Sequence, residues 1–132
     1  MTHEWWVMTI RILLADDHKN LRQFIRALIE MHTGMEVVGE AGVGRKAISM
    51  ARDLSPGTVI MDVGMPQING IDTTKEIIAT VPKVKVIGLC MHTESTFVSA
   101  ILGAGASGCL LKERVLEDLI EAVKAVAKTV GT

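Results

Sequence analysis

Apolar positions along this chain alternate between two periods. The run Ile10-Arg11-Ile12-Leu13-Leu14-Ala15 is continuous enough for a strand buried on both faces. Between residues 18 and 32, Leu21, Phe24, Ile25, Leu28 and Ile29 fall at i, i+3, i+4, i+7 and i+8, which predicts an amphipathic helix. The same alternation recurs four more times. Residues 35–40 read as a strand nearer the sheet edge, and Ala47, Ile48, Ala51 and Leu54 as a helix closed by Ser55-Pro56-Gly57. Residues 59–62 form a short apolar strand ending in Asp62, Gln67-Ile68-Asn69-Gly70 a turn, and residues 71–80 a third helix. Residues 84–90 are the fourth strand, followed by a helix with Phe97, Val98, Ile101 and Leu102 facing inward and Gly103 loosening its last turn. Residues 107–111 are the fifth strand. The last helix, from about Val115, carries Leu116, Leu119, Ile120, Val123 and Val126 on its apolar side.

Five βα units joined by short connections predict an α/β fold: a doubly wound, five-stranded parallel sheet of flavodoxin-like order 2-1-3-4-5, with five helices. In that order the first and third strands are neighbours at the switch point. Asp16 and Asp17, which end the first strand, and Asp62, which ends the third, then converge, with Lys112 at the end of the fifth strand on the same rim.

Composition narrows the reading. A chain of 132 residues is one domain, and 48% hydrophobic residues with 3% aromatics imply an aliphatic core covered on both sides. Fourteen lysines and arginines against fifteen acids, with no basic run, argue against nucleic-acid contact by this chain itself. No window reaches the ~18 apolar residues of a membrane helix, and the start lacks the basic region of a signal peptide, so no membrane contact and a cytoplasmic location are expected. Residues 1–8 read as an N-terminal extension or expression remnant, and 9–130 as the domain. Cys90 and Cys109 match no metal-site or CxxC spacing and read as reduced thiols.

Clustered carboxylates repel one another, so a fold keeps them when a cation neutralises them or a pKa shifts. Mg²⁺ suits carboxylate and carbonyl oxygens and takes a phosphate oxygen as a further ligand. A carboxylate beside it can act as a nucleophile toward phosphorus, with Lys112 as a point charge for the phosphoryl group. The plainer readings are a helix cap for one of Asp16 and Asp17, and surface or loop positions for His18, His32 and His92. Met61, Met65 and the other methionines read as packing, and Pro66 as fixing the loop after Asp62.

Three blocks together resemble the receiver domain of a two-component response regulator: Ala15-Asp16-Asp17-His18; Met61-Asp62-Val63-Gly64-Met65-Pro66 with Asn69-Gly70; and Ala104-Gly105-Ala106-Ser107-Gly108 leading to Leu110-Leu111-Lys112. The resemblance implies the CheY-like form of the fold. It also implies that Asp62 accepts a phosphoryl group from a sensor histidine kinase, with Asp16, Asp17, Asp62 and the Gly64 carbonyl holding Mg²⁺ and Lys112 on the phosphoryl group. Leu89-Cys90-Met91-His92 and Lys112-Glu113 are similar to the NarL/FixJ (LuxR-type) subfamily, in which a helix-turn-helix follows the receiver. That DNA-binding domain is expected to be absent from this chain, either because it is a fragment or because the receiver stands alone. Phosphorylation would shift the fourth helix, fifth strand and fifth helix, or the first and fifth helices, with a homodimer as one outcome.

Two positions depart from the family pattern. Receivers usually carry threonine or serine where Cys90 stands, and often an aromatic where Cys109 stands, and a thiol is a weaker donor than a hydroxyl. Weaker coupling to the fourth helix follows, and the two thiols fall where neighbouring strands could bring them together. The alternatives are a pseudo-receiver, which binds partners without phosphotransfer, and a small Mg²⁺-dependent phosphohydrolase, which lacks a second acid beside Asp62.

Overall fold

A computed structural model describes residues 9–65, 67–91 and 95–128. Five strands, β1 (Ile10–Ala15), β2 (Met35–Ala41), β3 (Thr58–Asp62), β4 (Lys85–Cys90) and β5 (Gly108–Leu111), form one parallel sheet in the order β2-β1-β3-β4-β5. Five helices alternate with them: α1 (Lys19–Glu30), α2 (Gly44–Leu54), α3 (Gly70–Thr80), α4 (Ser95–Gly103) and α5 (Val115–Ala127). The predicted order and element sequence are therefore observed. Element limits differ from the sequence reading by one or two residues, except that α2 begins at Gly44, three residues before Ala47.

Strand parity builds two cores. Leu13, Ala15, Val59, Met61, Val86 and Cys90 point to one face, where Ala47 and Ala51 of α2, Ile77 of α3 and Ile101 of α4 cover them. Ile12, Leu14, Ile60, Ile87 and Leu89 point to the other, under Ile25 and Ile29 of α1 and Leu119 and Val123 of α5. The central strands are apolar through their middles because both faces are buried, with Arg11, Thr58, Asp62 and Lys85 at or next to their ends. The edge strands are mixed or short, β2 alternating in burial only over Met35, Glu36 and Val37 and β5 having four half-buried residues.

Several sequence expectations about burial need correction. Phe97 and Leu102 of α4 are exposed while Ile101 alone is fully buried, because a nine-residue helix lying on the sheet beside a short edge strand covers it with a narrow stripe. Leu116 of α5 and Phe24 of α1 also face outward, and Met31 and Met91 are exposed rather than packed. Met61 and Met65 are buried as expected. Pro66 and His92 lie outside the described residues.

The loop after β3 is closed by Asn69, whose side chain accepts from the Asp72 amide at 2.9 Å and so caps α3. Gly70 N–H donates to the Val63 carbonyl at 2.9 Å. The two backbones pass so closely that a Cβ on Gly70 would run into the Asp62 carbonyl. No helix among the described residues is long and apolar enough to cross a membrane.

Candidate functional site

Register brings the acids together. Ala15 pairs with Met61, so Asp16 and Asp62 leave neighbouring strands side by side. Cys90 pairs with Leu111, so Lys112 leaves the sheet two strands away on the same rim. Both Asp16 and Asp62 are buried. The Lys112 ammonium spans them, with Nζ 3.2 Å from Asp16 Oδ2 and 3.1 Å from Asp62 Oδ1. Asp62 Oδ1 also accepts the Gly64 amide at 3.0 Å. Asp17 is more exposed and sits at the outer side of the cluster.

His18 is the member that the sequence reading placed elsewhere. Its Nδ1 lies 2.8 Å from Asp16 Oδ1, 3.1 Å from Asp17 Oδ1 and 3.3 Å from Lys112 Nζ. Protonated at Nδ1, the ring donates to a carboxylate; unprotonated there, it accepts from Lys112. No spacing rule finds this residue, because its neighbours come from the loop geometry at the start of α1. The expected side-chain cap on α1 is also absent. His18 itself occupies the N-cap position without a side-chain cap, and Asp16 Oδ1 bonds the His18 amide at 2.8 Å.

The site's charges do not balance internally. Asp16, Asp17 and Asp62 face one ammonium, leaving two negative charges when His18 is neutral. Asp62 Oδ2 has no hydrogen-bond partner among the described residues, and Asp16 Oδ2 meets Lys112 without hydrogen-bond alignment. Buried carboxylate oxygens without partners are costly. A divalent cation would both balance the charge and complete them. Asp16, Asp17, His18 and Asp62 each offer a ligand atom, all within 4.8 Å of one another, and the oxygen-rich donor set fits a hard cation such as Mg²⁺.

Burial pushes the Asp62 carboxyl above its usual pKa, and the Asp16 charge adds to this, against the opposing pull of the Gly64 amide and Lys112. For an acid raised in the folded state, the native protein takes up its proton before the unfolded chain does. Ionised Asp62 therefore costs stability above the raised pKa, and this cost disappears as pH falls to the ordinary carboxylate value. Asp62→Asn is expected to be more stable than the parent at pH 7 in metal-free buffer, with the gap closing in acid. Paired urea melts across pH check this.

A second polar network holds the β1–α1 loop. Arg22 Nη1 donates to the Asp16 carbonyl at 2.6 Å and Arg22 Nε to Glu40 at 2.9 Å, while Arg26 reaches the other Glu40 oxygen at 2.6 Å. Burial raises the Glu40 carboxyl, but the hydrogen bonds from Arg26 and Arg22 carry it below the usual range. Sequence reading missed this network. Its only trace was the i, i+4 pair of arginines on α1.

Beside the acids lies an open hollow of about 320 Å³, walled by His18, Asp62, Cys90, Met91, Phe97 and Lys112 among others. It has room for a tetrahedral anion next to Asp62. Cys90 lines this hollow, and Cys109 lies behind it with its sulfur 2.8 Å from that of Cys90. Gly64 adjoins Asp62 through its N–H.

Comparison with known proteins bears on this arrangement. The family model described as "Response regulator receiver domain" matches residues 12–124. The chain is 38% identical over 119 residues to the transcriptional regulatory protein DegU of Brevibacillus brevis, covering 90% of this chain and 50% of that protein. It is 37% identical over 117 residues to the response regulator UvrY of Escherichia coli K12, covering 89% and 54%. The chain thus spans about half the length of these relatives. Among solved structures, a LuxR-family two-component response regulator from Aurantimonas sp. superposes with a TM-score of 0.88 at 34% identity, covering 92% of this chain and 87% of that one. The signal receiver domain of the response regulator NarL from Mycobacterium tuberculosis superposes with a TM-score of 0.87 at 26% identity, covering 92% and 98%. By sequence and by fold alike, this chain belongs to the receiver domains of two-component response regulators, and within them to the NarL/FixJ kind.

Proposed function

We propose that Asp62 is the phosphoacceptor of this receiver. The observation that carries the reading is the buried Asp62 carboxylate, whose Oδ2 has no hydrogen-bond partner among the described residues, opening on a hollow shared with Lys112. Response regulators receive phosphate from sensor histidine kinases, and receiver domains bind Mg²⁺ at an acidic pocket. Here Asp16, Asp17 and Asp62 would hold Mg²⁺, with the Gly64 carbonyl as a further ligand. The ion, when bound, supplies charge neutralisation at the transferring phosphoryl oxygens.

The residues divide the work. An Asp62 oxygen attacks phosphorus, the bond from phosphorus to the donor's imidazole nitrogen breaks, and the nitrogen takes up a proton. Lys112, already paired with Asp62 Oδ1, stays to meet the new phosphoryl oxygens. The added charge near −2 then biases the elements bordering the hollow: β4, which ends in Cys90, and α4, which carries Phe97. The Cys90 thiol replaces a hydroxyl donor at that border. In the whole regulator, we place this domain in the cytoplasm, between a sensor histidine kinase and a DNA-binding helix-turn-helix domain, with phosphorylation-linked homodimerisation through α4–β5–α5 or α1 and α5.

The test is intact mass after incubation with acetyl phosphate and Mg²⁺. One phosphoryl adduct is expected that requires Mg²⁺ and is absent in Asp62→Asn. No adduct in the parent chain, under conditions that label another receiver, would transfer the assignment to an interaction domain without phosphotransfer.

A further inference from the structure

The two cysteines come from adjacent strands. Gly88 of β4 pairs with Cys109 of β5, and Cys90 lies two residues further along β4, on the same face. Their sulfurs are 2.8 Å apart, within about 0.8 Å of the ~2.05 Å covalent sulfur–sulfur length. Both are free thiols. They lie beneath α4, where Ile101 packs over Gly88. Cys90 also walls the hollow that holds Asp62 and Lys112. A dithiol already in contact at the mouth of a reaction site is more than a pair of core residues.

We propose that Cys90 and Cys109 are a redox-modification site: hydrogen peroxide converts them to an intramolecular disulfide, and that crosslink slows phosphoryl uptake at Asp62. The first half stands on the sulfur geometry alone, and the second rests on the phosphoacceptor reading above.

The sulfur of Cys90, a residue that lines the hollow, attacks one peroxide oxygen; the O–O bond breaks, and the leaving oxygen departs as water with the thiol proton. Cys90 is then a sulfenic acid. The Cys109 sulfur attacks it, the S–O bond breaks, and the released hydroxide takes the Cys109 proton as a second water. Two thiols have lost two hydrogens and two electrons, and one peroxide has become two waters. Burial, followed by the hydrogen bond with Cys90 and its charge, pushes Cys109 up to about 12. Cys109 is therefore protonated at neutral pH and serves as the resolving partner rather than the first nucleophile.

The effect on Asp62 follows from position. The disulfide removes the only thiol donor in the wall of the hollow among the described residues and ties the end of β4 to β5, which leads directly into Lys112. The wall can then adjust less around a phosphoryl group.

The experiment treats the full chain with hydrogen peroxide and reads intact mass, a non-reducing peptide map and the rate of acetyl phosphate labelling with Mg²⁺. Expected are the loss of two hydrogens, a Cys90–Cys109 crosslinked peptide that dithiothreitol reverses, and labelling slowed about threefold or more. Cys109→Ala, given the same peroxide, is expected to show neither the crosslink nor the disulfide-linked slowing. A map without the crosslink, or with Cys90 accumulating as sulfinic acid, overturns the proposal. A crosslinked protein that labels as fast as the reduced one overturns its second half. A reduced chain that fails to label overturns the phosphoacceptor reading and that second half together, while the peptide map still decides the first.

Discussion

Lys112→Ala is expected to destabilise the protein by about 3 kcal/mol near neutral pH, because it strips the ammonium that spans two buried carboxylates. The loss should be smaller in acid, where Asp62 can take a proton instead. It should also shrink with Mg²⁺, since a ligand that binds only the folded state stabilises it by about 2.7 kcal/mol at 100 times its dissociation constant. Urea melts of parent and variant, each with and without Mg²⁺, check all three statements. Phosphoryl uptake by the variant should fall on the order of 10²-fold even when the fold is rescued, because in the proposed mechanism Lys112 is the fixed charge that meets the incoming oxygens. An unchanged urea midpoint in metal-free buffer would mean that the ammonium does not stabilise the pair.

Gly70→Ala is the second large effect. The new Cβ would collide with the Asp62 carbonyl oxygen and come within 2.7 Å of Val63 Cα. These are backbone atoms, so no change of rotamer relieves the contact. A cost of about 3 kcal/mol is expected, read as a fall in Tm of roughly 10 °C. The atoms displaced belong to Asp62 and its neighbour, so labelling should fall with stability. Gly64→Ala is the control. A Cβ there would meet Asp62 Oδ1 only at 3.8 Å, so the variant should melt close to the parent.

The sheet order and the convergence of Asp16, Asp62 and Lys112 were legible because they follow from period and topology. Continuous apolar strands between amphipathic helices force the doubly wound order, and that order fixes which strand ends meet. What was not legible depends on side-chain direction. Phe97 and Leu102 fit an inward stripe by spacing, yet only Ile101 between them is fully buried, since the arc of α4 that touches the sheet is narrower than its apolar pattern. His18 looked like a loop residue, and it is one. Its approach to Asp16, Asp17 and Lys112 is set by the turn from β1 into α1, which periodicity does not describe. The contact between Cys90 and Cys109 lay between these cases, with the strands foreseeable and the sulfur separation not.

The ties on the acidic loop run toward the edge of the sheet. Asp16 donates its amide to the Ala41 carbonyl and accepts Arg22 on its own carbonyl, and Arg22 is anchored to Glu40, so each of these links leads to β2. An edge strand frays at lower free energy than a central one. Native-state hydrogen exchange should therefore find the Asp16 amide opening in step with the β2 amides and ahead of those of β3. Half of the proposed cation site would thus belong to a cooperative unit that can loosen while the strand bearing Asp62 stays folded.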